Sequence, residues 1–295
     1  MTLEQLRIFV AVAEREHVTR AAEALNLTQS ATSAAVAALE ARYQTKLFDR
    51  VGRRIALTDA GRVFVSEARA VLARAHSAEV VLADLAGLKR GSLALAGSQT
   101  VANYWLPGIA HRFQARYPGI TLALTIGNTE TVAALVHDGT ADLGFVEGEI
   151  DDPALAIERV AEDELLLVAA PGHAWTANPP ASPRDLKAAR WIFREPGSGT
   201  RSNFEAMLAS LGVAPQSLDI ALELPSNESV RAAVEADAGV AVMSRLVAEA
   251  SLKAGALVAI DFALPKRSFF VLRHKERYVT RAANEFLALI AGEIA

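Results

Sequence analysis

LTQSATSAAVAALE (residues 27–40) has the length and composition of a helix, yet Glu40 is its one charged residue. Hydroxyl and amide side chains crowd its front end (Thr28, Gln29, Ser30, Thr32, Ser33), and alanines fill most of the rest. Thr32, Val36, Leu39 and Tyr43 recur at spacings of 4, 3 and 4. On a 3.6-residue helix they share one side, which is expected to pack. Gln29, Ser30, Ser33, Ala34 and Ala37 then face away from that core, and a face of small residues lets something large approach closely. Upstream, Thr2 and Gln5 have capping-box spacing. A first helix is expected from Leu3, burying Leu6, Phe9, Val10 and Ala13. Thr19 can cap a second helix to about Leu25, and Asn26 and Leu27 form a short turn. Two helices joined this way make a helix-turn-helix.

Downstream, DRVGRRIALTDAG turns at Gly52, flanked by Arg50, Arg53 and Arg54, and predicts a small β-wing with a basic tip. From Arg42 to Arg54, Arg42, Lys46, Arg50, Arg53 and Arg54 stand against Asp49 alone. Most short charge runs are solvated surface, but a patch this size can steer a polyanion even though the net charge is −4. Thr58 caps a long helix to about Leu88. In it Phe64, Ala68, Val71, Ala75, Ala78, Leu82 and Leu85 alternate at spacings of 4 and 3, a coiled-coil seam fit for a homodimer. An amphipathic helix lying on its own chain is the plainer alternative.

The 295 residues suffice for two or three domains, and half are apolar, as in a globular chain. The chain contains no cysteine, which excludes disulfides, thiolate zinc sites and cysteine nucleophiles. MTLEQLRIFVAVAERE lacks the marks of a signal peptide, and no apolar run reaches ~18 residues, so a cytoplasmic protein without a membrane partner is expected. The six histidines (His17, His76, His111, His137, His173, His274) are scattered singly, so no metal is expected. There is no GxSxG elbow, P-loop or GxGxxG after a strand, and GSGTR at 197–201 lacks the Walker lysine.

After Lys89-Arg90-Gly91 the texture becomes alternating strands and helices. Strand-like runs lie at 92–97, 120–126, 142–147, 164–170, 191–195, 220–224, 240–244 and 268–273, and the Pro-rich stretch 173–183 reads as a loop. This implies α/β with largely parallel sheets. GSQT (97–100), EPGSGTRS (195–202) and PSNES (225–229) each follow a strand and open a helix. A helix N-terminus offers free N–H groups and partial positive charge, which suits an anion. In open α/β sheets ligands bind beyond the carboxyl ends of the strands. If the loops converge, Ser98, Gln99, Thr100, Ser198, Gly199, Thr200 and Asn227 line one cleft, Arg201 adds a charge, and Thr129 in GNTET offers a fourth turn. Taken singly, each loop is more simply a helix cap. Glu147 and Glu149, after another strand, would oppose a bulky anion there, or else are surface charges.

LEQLRIFVAVAE, the AAEALNLTQSATSAAVAALE helix pair, KLFDR and RRIALTDAG agree in order and length with one family. Residues 1–61 resemble the N-terminal domain of LysR-type transcriptional regulators, and LPGIAHRFQARYPGITL (106–122) extends the likeness along the chain. The resemblance implies a winged helix-turn-helix at 1–57, a linker and dimerisation helix at 58–90, and a periplasmic-binding-protein-like α/β domain at 91–295. Lobe I would be 91–162 and 266–295, and lobe II 163–265, hinged by two crossover strands. By motif, the third helix enters the major groove of double-stranded DNA. Gln29, Ser30 and Ser33 would contact bases or phosphates, and Arg53 and Arg54 backbone or minor groove. Family members often carry Pro at the Ser30 position and basic or amide residues at Ala34 and Ala35, so here more of the reading falls to Gln29, Ser33 and the wing. EPGSGTR and SNESV resemble regulators of carbon fixation and of sulfur-anion assimilation, which implies a small anionic effector and no other cofactor. The expected protein is a regulator, dimeric or tetrameric, and not an enzyme. A solute-binding protein without a DNA role, or an α/β enzyme acting on an anion, are the alternatives.

Overall fold

A computed structural model describes residues 1–51, 54–85, 91–148 and 150–294. The chain divides into two compact units after Leu88, the short turn Asp138–Thr140 being assigned to the first.

The first unit opens with α1 (Leu3–Arg15), α2 (Val18–Ala24) and α3 (Gln29–Tyr43). Thr2 and Gln5 form the expected capping box. The second helix begins at Val18 and not after Thr19, because the His17 ring accepts from the Arg20 N–H and caps it. Leu6, Phe9 and Leu39 make one core cluster with Leu47 and Ala68. Ile8, Val12 and Ala21 make another, with Val36 packed on it. Thr32 is fully buried, and its hydroxyl donates to the Thr28 carbonyl at 3.1 Å. Tyr43 departs from the expected stripe: it is 52% exposed, at the last turn, where the core has ended.

Strands β1 (Phe48–Val51) and β2 (Arg54–Leu57) pair antiparallel from Phe48↔Leu57 to Val51↔Arg54, forming the wing. Glu40, on α3, ties the wing down: its carboxylate accepts from the N–H groups of Leu47 (2.8 Å) and Phe48 (3.2 Å) and from Lys46 Nζ (2.9 Å). Burial alone would raise the Glu40 pKa, but these bonds outweigh it and hold the group below the ordinary glutamate range.

The linker helix α4 (Asp59–Leu85) has 27 residues, about 40 Å at 1.5 Å each. The expected seam divides along its length. Phe64 stacks on Phe9 (centroids 5.0 Å apart) and Ala68 is buried in the α1 cluster, so the first turns serve their own chain. Val71 (42%) and Leu82 (69%) are exposed; the side chain of Leu85 lies outside the described residues.

Among the described residues the second unit holds three sheets, one in lobe I and two in lobe II. In lobe I, β3 (Gly91–Ser98), β4 (Ile120–Gly127), β5 (Leu143–Val146), β6 (Leu155–Asp163) and β12 (Arg267–His274) lie in the order β4-β3-β5-β12-β6. In lobe II, β7 (Leu165–Ala169), β10 (Ala241–Ser244) and β11 (Val258–Ala259) form one sheet, and β8 (Arg190–Arg194) with β9 (Asp219–Leu224) another, linked by a Trp191↔Val240 bridge. The sheets are mixed, not largely parallel. Strand β3 runs parallel to β4 and β5, and β8 to β9, whereas β12 is antiparallel to β5 and β6, and β7 to β10 and β11. Strand β6 escapes the periodicity reading because LAIERVAED carries four charges and half its residues face solvent. The Pro-rich 173–183 stretch contains a 3₁₀ turn, Ala174–Thr176, that buries Trp175. Helices α5 (Leu106–Arg116) and α10 (Arg281–Ile294) cover one face of lobe I, where Phe113, Phe145, Phe269 and Phe286 meet; α6 (Thr129–Asp138) covers the other with Val132 and Val136. Helices α7 (Gly199–Ser210), α8 (Asn227–Glu235) and α9 (Arg245–Lys253) do the same for lobe II around Trp191 and Phe204 and around Val230 and Val247.

Replacing Glu40 by Ala strands two backbone donors at the root of the wing, and should cost about 1–3 kcal/mol at pH 7. A carboxyl held below its unfolded pKa adds stability above that value and loses it as pH falls through the folded one. Thermal unfolding should therefore show the gap between wild type and Glu40→Ala narrowing below about pH 4.3.

Candidate functional site

The strand carboxyl ends of both lobes meet. Ser98 ends β3, Thr100 opens a π-helical turn (Val101–Trp105), Thr129 starts α6, Glu147 follows β5, Gly199 starts α7 and Asn227 starts α8. Ser98, Thr100, Thr129, Glu147, Ser198, Thr200 and Asn227 are all at least nine-tenths buried. Capping does not account for them. Asn128 Oδ1 caps α6 by accepting from the Thr131 N–H (2.9 Å), and Ser226 caps α8. Ser198 and Thr100 stand at cap positions without making a side-chain cap bond. The hydroxyls of Thr129 and Ser198 have no hydrogen-bond partner among the described residues. Buried hydroxyls are normally paired, so these two stand out.

Arg267, the first residue of β12, occupies the centre and is 4% exposed. Its Nε donates to Asp163 Oδ2 (2.7 Å), its Nη1 to Thr200 Oγ1 (2.9 Å), and its Nη2 lies 3.5 Å from Thr100 Oγ1. One fork thus touches the crossover from β6, lobe II and lobe I. Ser244 Oγ donates to the other Asp163 oxygen (2.7 Å). Asn227 Nδ2 donates to Thr100 Oγ1 (3.0 Å), and Asn227 Oδ1 accepts from Arg194 Nη1 (2.5 Å). Gln99 clasps lobe II through the Pro225 carbonyl (2.8 Å) and the Asn227 N–H (2.9 Å). Ser98 Oγ donates to the Glu147 carboxylate, which lies 3.7 Å from Arg267 Nη1. Gly199 is required where the lobes touch, because a Cβ there would stand 2.6 Å from Thr129 Oγ1 and 2.8 Å from the Gly148 nitrogen.

Of the residues expected in the cleft, Ser98, Gln99, Thr100, Thr129, Ser198, Gly199, Thr200 and Asn227 come together. Arg201 does not. Its guanidinium is taken up by Glu205 (2.8 Å), Glu223 (2.6 Å) and the Arg194 carbonyl (2.9 Å), over the Phe193 ring. The cation of the cleft is Arg267, which the loop reading misses because it lies 67 residues beyond Thr200, on the returning strand. Its one signal in the sequence is a cation at the head of an apolar run, RSFFVLR. Glu149 lies outside the described residues. Among the described residues no cluster of three His, Cys, Asp or Glu side chains stands ready for a metal ion, and no helix is long and apolar enough to cross a membrane.

In the first unit, Gln29, Ser30, Ala34 and Ala37 are exposed on α3, and Ser33 is half-buried. Arg50 is exposed on the wing; Arg53 and the side chain of Arg54 lie outside the described residues.

Residues 3–62 match the bacterial regulatory helix-turn-helix protein, lysR family, and residues 86–295 match the LysR substrate binding domain. The chain is 35% identical over 289 residues to the HTH-type transcriptional regulator YeiE of Escherichia coli, covering 97% of this chain and 96% of that protein. It is 32% identical to the HTH-type transcriptional regulator CbbR of Rhodospirillum rubrum, with 98% and 95% covered. Among solved structures, the Synechocystis PCC6803 CcmR regulatory domain in complex with 2-PG is similar at a TM-score of 0.63 and 25% identity, covering 69% of this chain and 97% of that one.

Removing Arg267 should leave Asp163 and Glu147 buried without their cation, which typically costs about 3–5 kcal/mol. Chemical denaturation of Arg267→Met should show that loss. Arg267→Lys should recover part of it, because an ammonium restores the charge but not the fork.

Proposed function

Because the chain belongs to the LysR family of DNA-binding transcriptional regulators with an effector-binding domain, we propose that its interlobe cleft takes a small anionic effector and its third helix reads the operator. The protein is a regulator and not an enzyme. We divide it into a head at 1–57, a linker at 58–90 and an effector domain at 91–295, with lobe I at 91–162 and 266–295 and lobe II at 163–265.

The observation that carries the effector site is the pair of buried hydroxyls without a hydrogen-bond partner among the described residues, Thr129 Oγ1 and Ser198 Oγ, at the starts of α6 and α7. The start of α7 adds backbone N–H groups that no side chain caps, and such an end favours negative charge. The likeness to a regulatory domain that holds 2-PG supports the same reading. Ser98, Gln99, Thr100, Thr200, Gly199 and Asn227 complete the lining, drawn from both lobes. A ligand held by both lobes favours their closed arrangement over the open one, and only that difference in affinity can move the equilibrium.

For the operator, the exposed face of α3 supports Gln29, Ser30 and Ser33 as the reading residues. A bidentate Gln29–adenine contact would contribute ~1–3 kcal/mol of discrimination. Arg53 and Arg54 of the wing would add affinity through phosphates without selecting sequence. Exposed Val71 and Leu82 on α4 support a homodimer through the linker, extending to a tetramer, and the whole assembly works in the cytoplasm.

Two substitutions test this reading. Ser33→Glu sets a carboxylate against phosphates and should abolish operator binding in a gel-shift while the protein remains a folded oligomer; unchanged affinity would mean that α3 is not the reading helix. A thermal-shift screen over sulfur oxyanions, phosphorylated sugars and nicotinamide nucleotides should give a stabilising ligand. Thr100→Val should then weaken it, by roughly tenfold for one lost hydroxyl contact, in calorimetry.

A further inference from the structure

The cleft that takes the anion carries two buried carboxylates, Glu147 and Asp163, facing the buried guanidinium of Arg267; a second buried guanidinium, Arg194, is held by Glu195 and Asn227. Asp163 is fully engaged: Arg267 Nε and Ser244 Oγ each hold one of its oxygens at 2.7 Å. Glu147 is not. Its nearest cation atom, Arg267 Nη1, is 3.7 Å away, beyond hydrogen-bond length, and its side-chain hydrogen bond is the one from Ser98. Ser98 faces it from β3, Thr129 from α6, Gly199 from α7 and Arg267 from β12; Asn203 of α7 donates to its backbone carbonyl (2.8 Å). A Cβ on Gly199 would meet Glu147 Cγ at 3.0 Å and Thr129 Oγ1 at 2.6 Å, so the carboxylate stem runs beside the unpartnered threonine hydroxyl.

A carboxylate offers acceptors only. A fully ionised oxyanion placed against it meets a like charge where little water screens the pair. An oxyanion that keeps an acidic O–H meets it with a short, charge-assisted hydrogen bond instead. We propose that Glu147 is a specificity-determining residue: it selects effectors whose anionic group retains a proton near neutral pH, such as inorganic hydrogen phosphate, over fully ionised oxyanions of the same shape. The hydroxyls of Thr129 and Ser198 and the N–H groups at the start of α7 would serve the remaining oxygens. This rests on the cleft being an anion site, and it narrows the class of anion.

Inorganic phosphate and sulfate separate the two requirements, since both are tetrahedral and phosphate alone carries a proton at pH 7. Calorimetry on the full chain should give phosphate an affinity roughly 10- to 100-fold above that of sulfate, the range of one hydrogen bond to a charged group. Glu147→Gln, whose amide can donate, should bring the two within about threefold by gaining sulfate. Sulfate binding wild type as tightly as phosphate, or a preference that survives in Glu147→Gln, would overturn the proposal while leaving the anion site standing. Neither anion binding to either protein would overturn the anion site and this inference together. Should Glu147→Gln fail to fold, as judged by its thermal transition, the wild-type ratio alone decides.

Discussion

The effector domain is organised around one buried ion pair. Arg267 and Asp163 sit where the chain leaves lobe I and where it returns, at the end of β6 and the start of β12. Their side chains are each 2% exposed. Buried pairs gain little over an apolar core but are costly to break, so their value is positional. This one sets a guanidinium fork between Thr100 of lobe I and Thr200 of lobe II, and everything else in the cleft is placed relative to it. Asp163 already takes the Nε side of that cation, and Glu147 stands 3.7 Å from its Nη1.

That constraint gives the cleft two kinds of polar group. Gln99 and Asn227 are used up in bonds between the lobes and act as clasps, with Thr100 Oγ1 accepting from Asn227. On the opposite side Tyr104, in the π-helical turn, donates to Glu228 (3.0 Å) and packs on the lobe II core, adding an aromatic clasp. Thr129 and Ser198 are buried without partners, and Glu147 is only loosely paired. The first set joins the lobes; the second is the set that the proposed effector would meet. A population shift needs both, because the ligand must prefer the arrangement the clasps define. The head follows a different economy. Its core is a few aromatic and aliphatic side chains, and Glu40 fixes the wing to α3 through backbone donors, leaving a small-residue face that needs no side-chain rearrangement to meet a groove.

Much of this was readable from residue order. The α1 cap, the packed side of α3 and the wing hairpin are local features, set by spacings of three or four residues and by one turn, and they reappear with small shifts at the ends. The β6 strand was not readable, since it carries four charges and its burial does not alternate, and Tyr43 is exposed because periodicity continues past the point where a core ends. Phe64 and Ala68 carry the same spacing as the exposed seam below them, and pattern alone cannot say that α1 covers the first and not the rest.

By itself the sequence determined the elements, the small open face of α3 and the polar loops at strand ends, because each depends on neighbours within about one turn or one strand. Only the tertiary structure decided which of those loops share a cleft, and which arginine serves it. Arg201 stands inside the loop motif, yet its reach is spent on Glu205 and Glu223; Arg267 stands far along the chain, yet the return of β12 beside β5 and β6 delivers it to the centre. Charge and spacing can nominate a cation, but its partners are chosen by how the chain crosses between lobes, and that is a property of packing at long range.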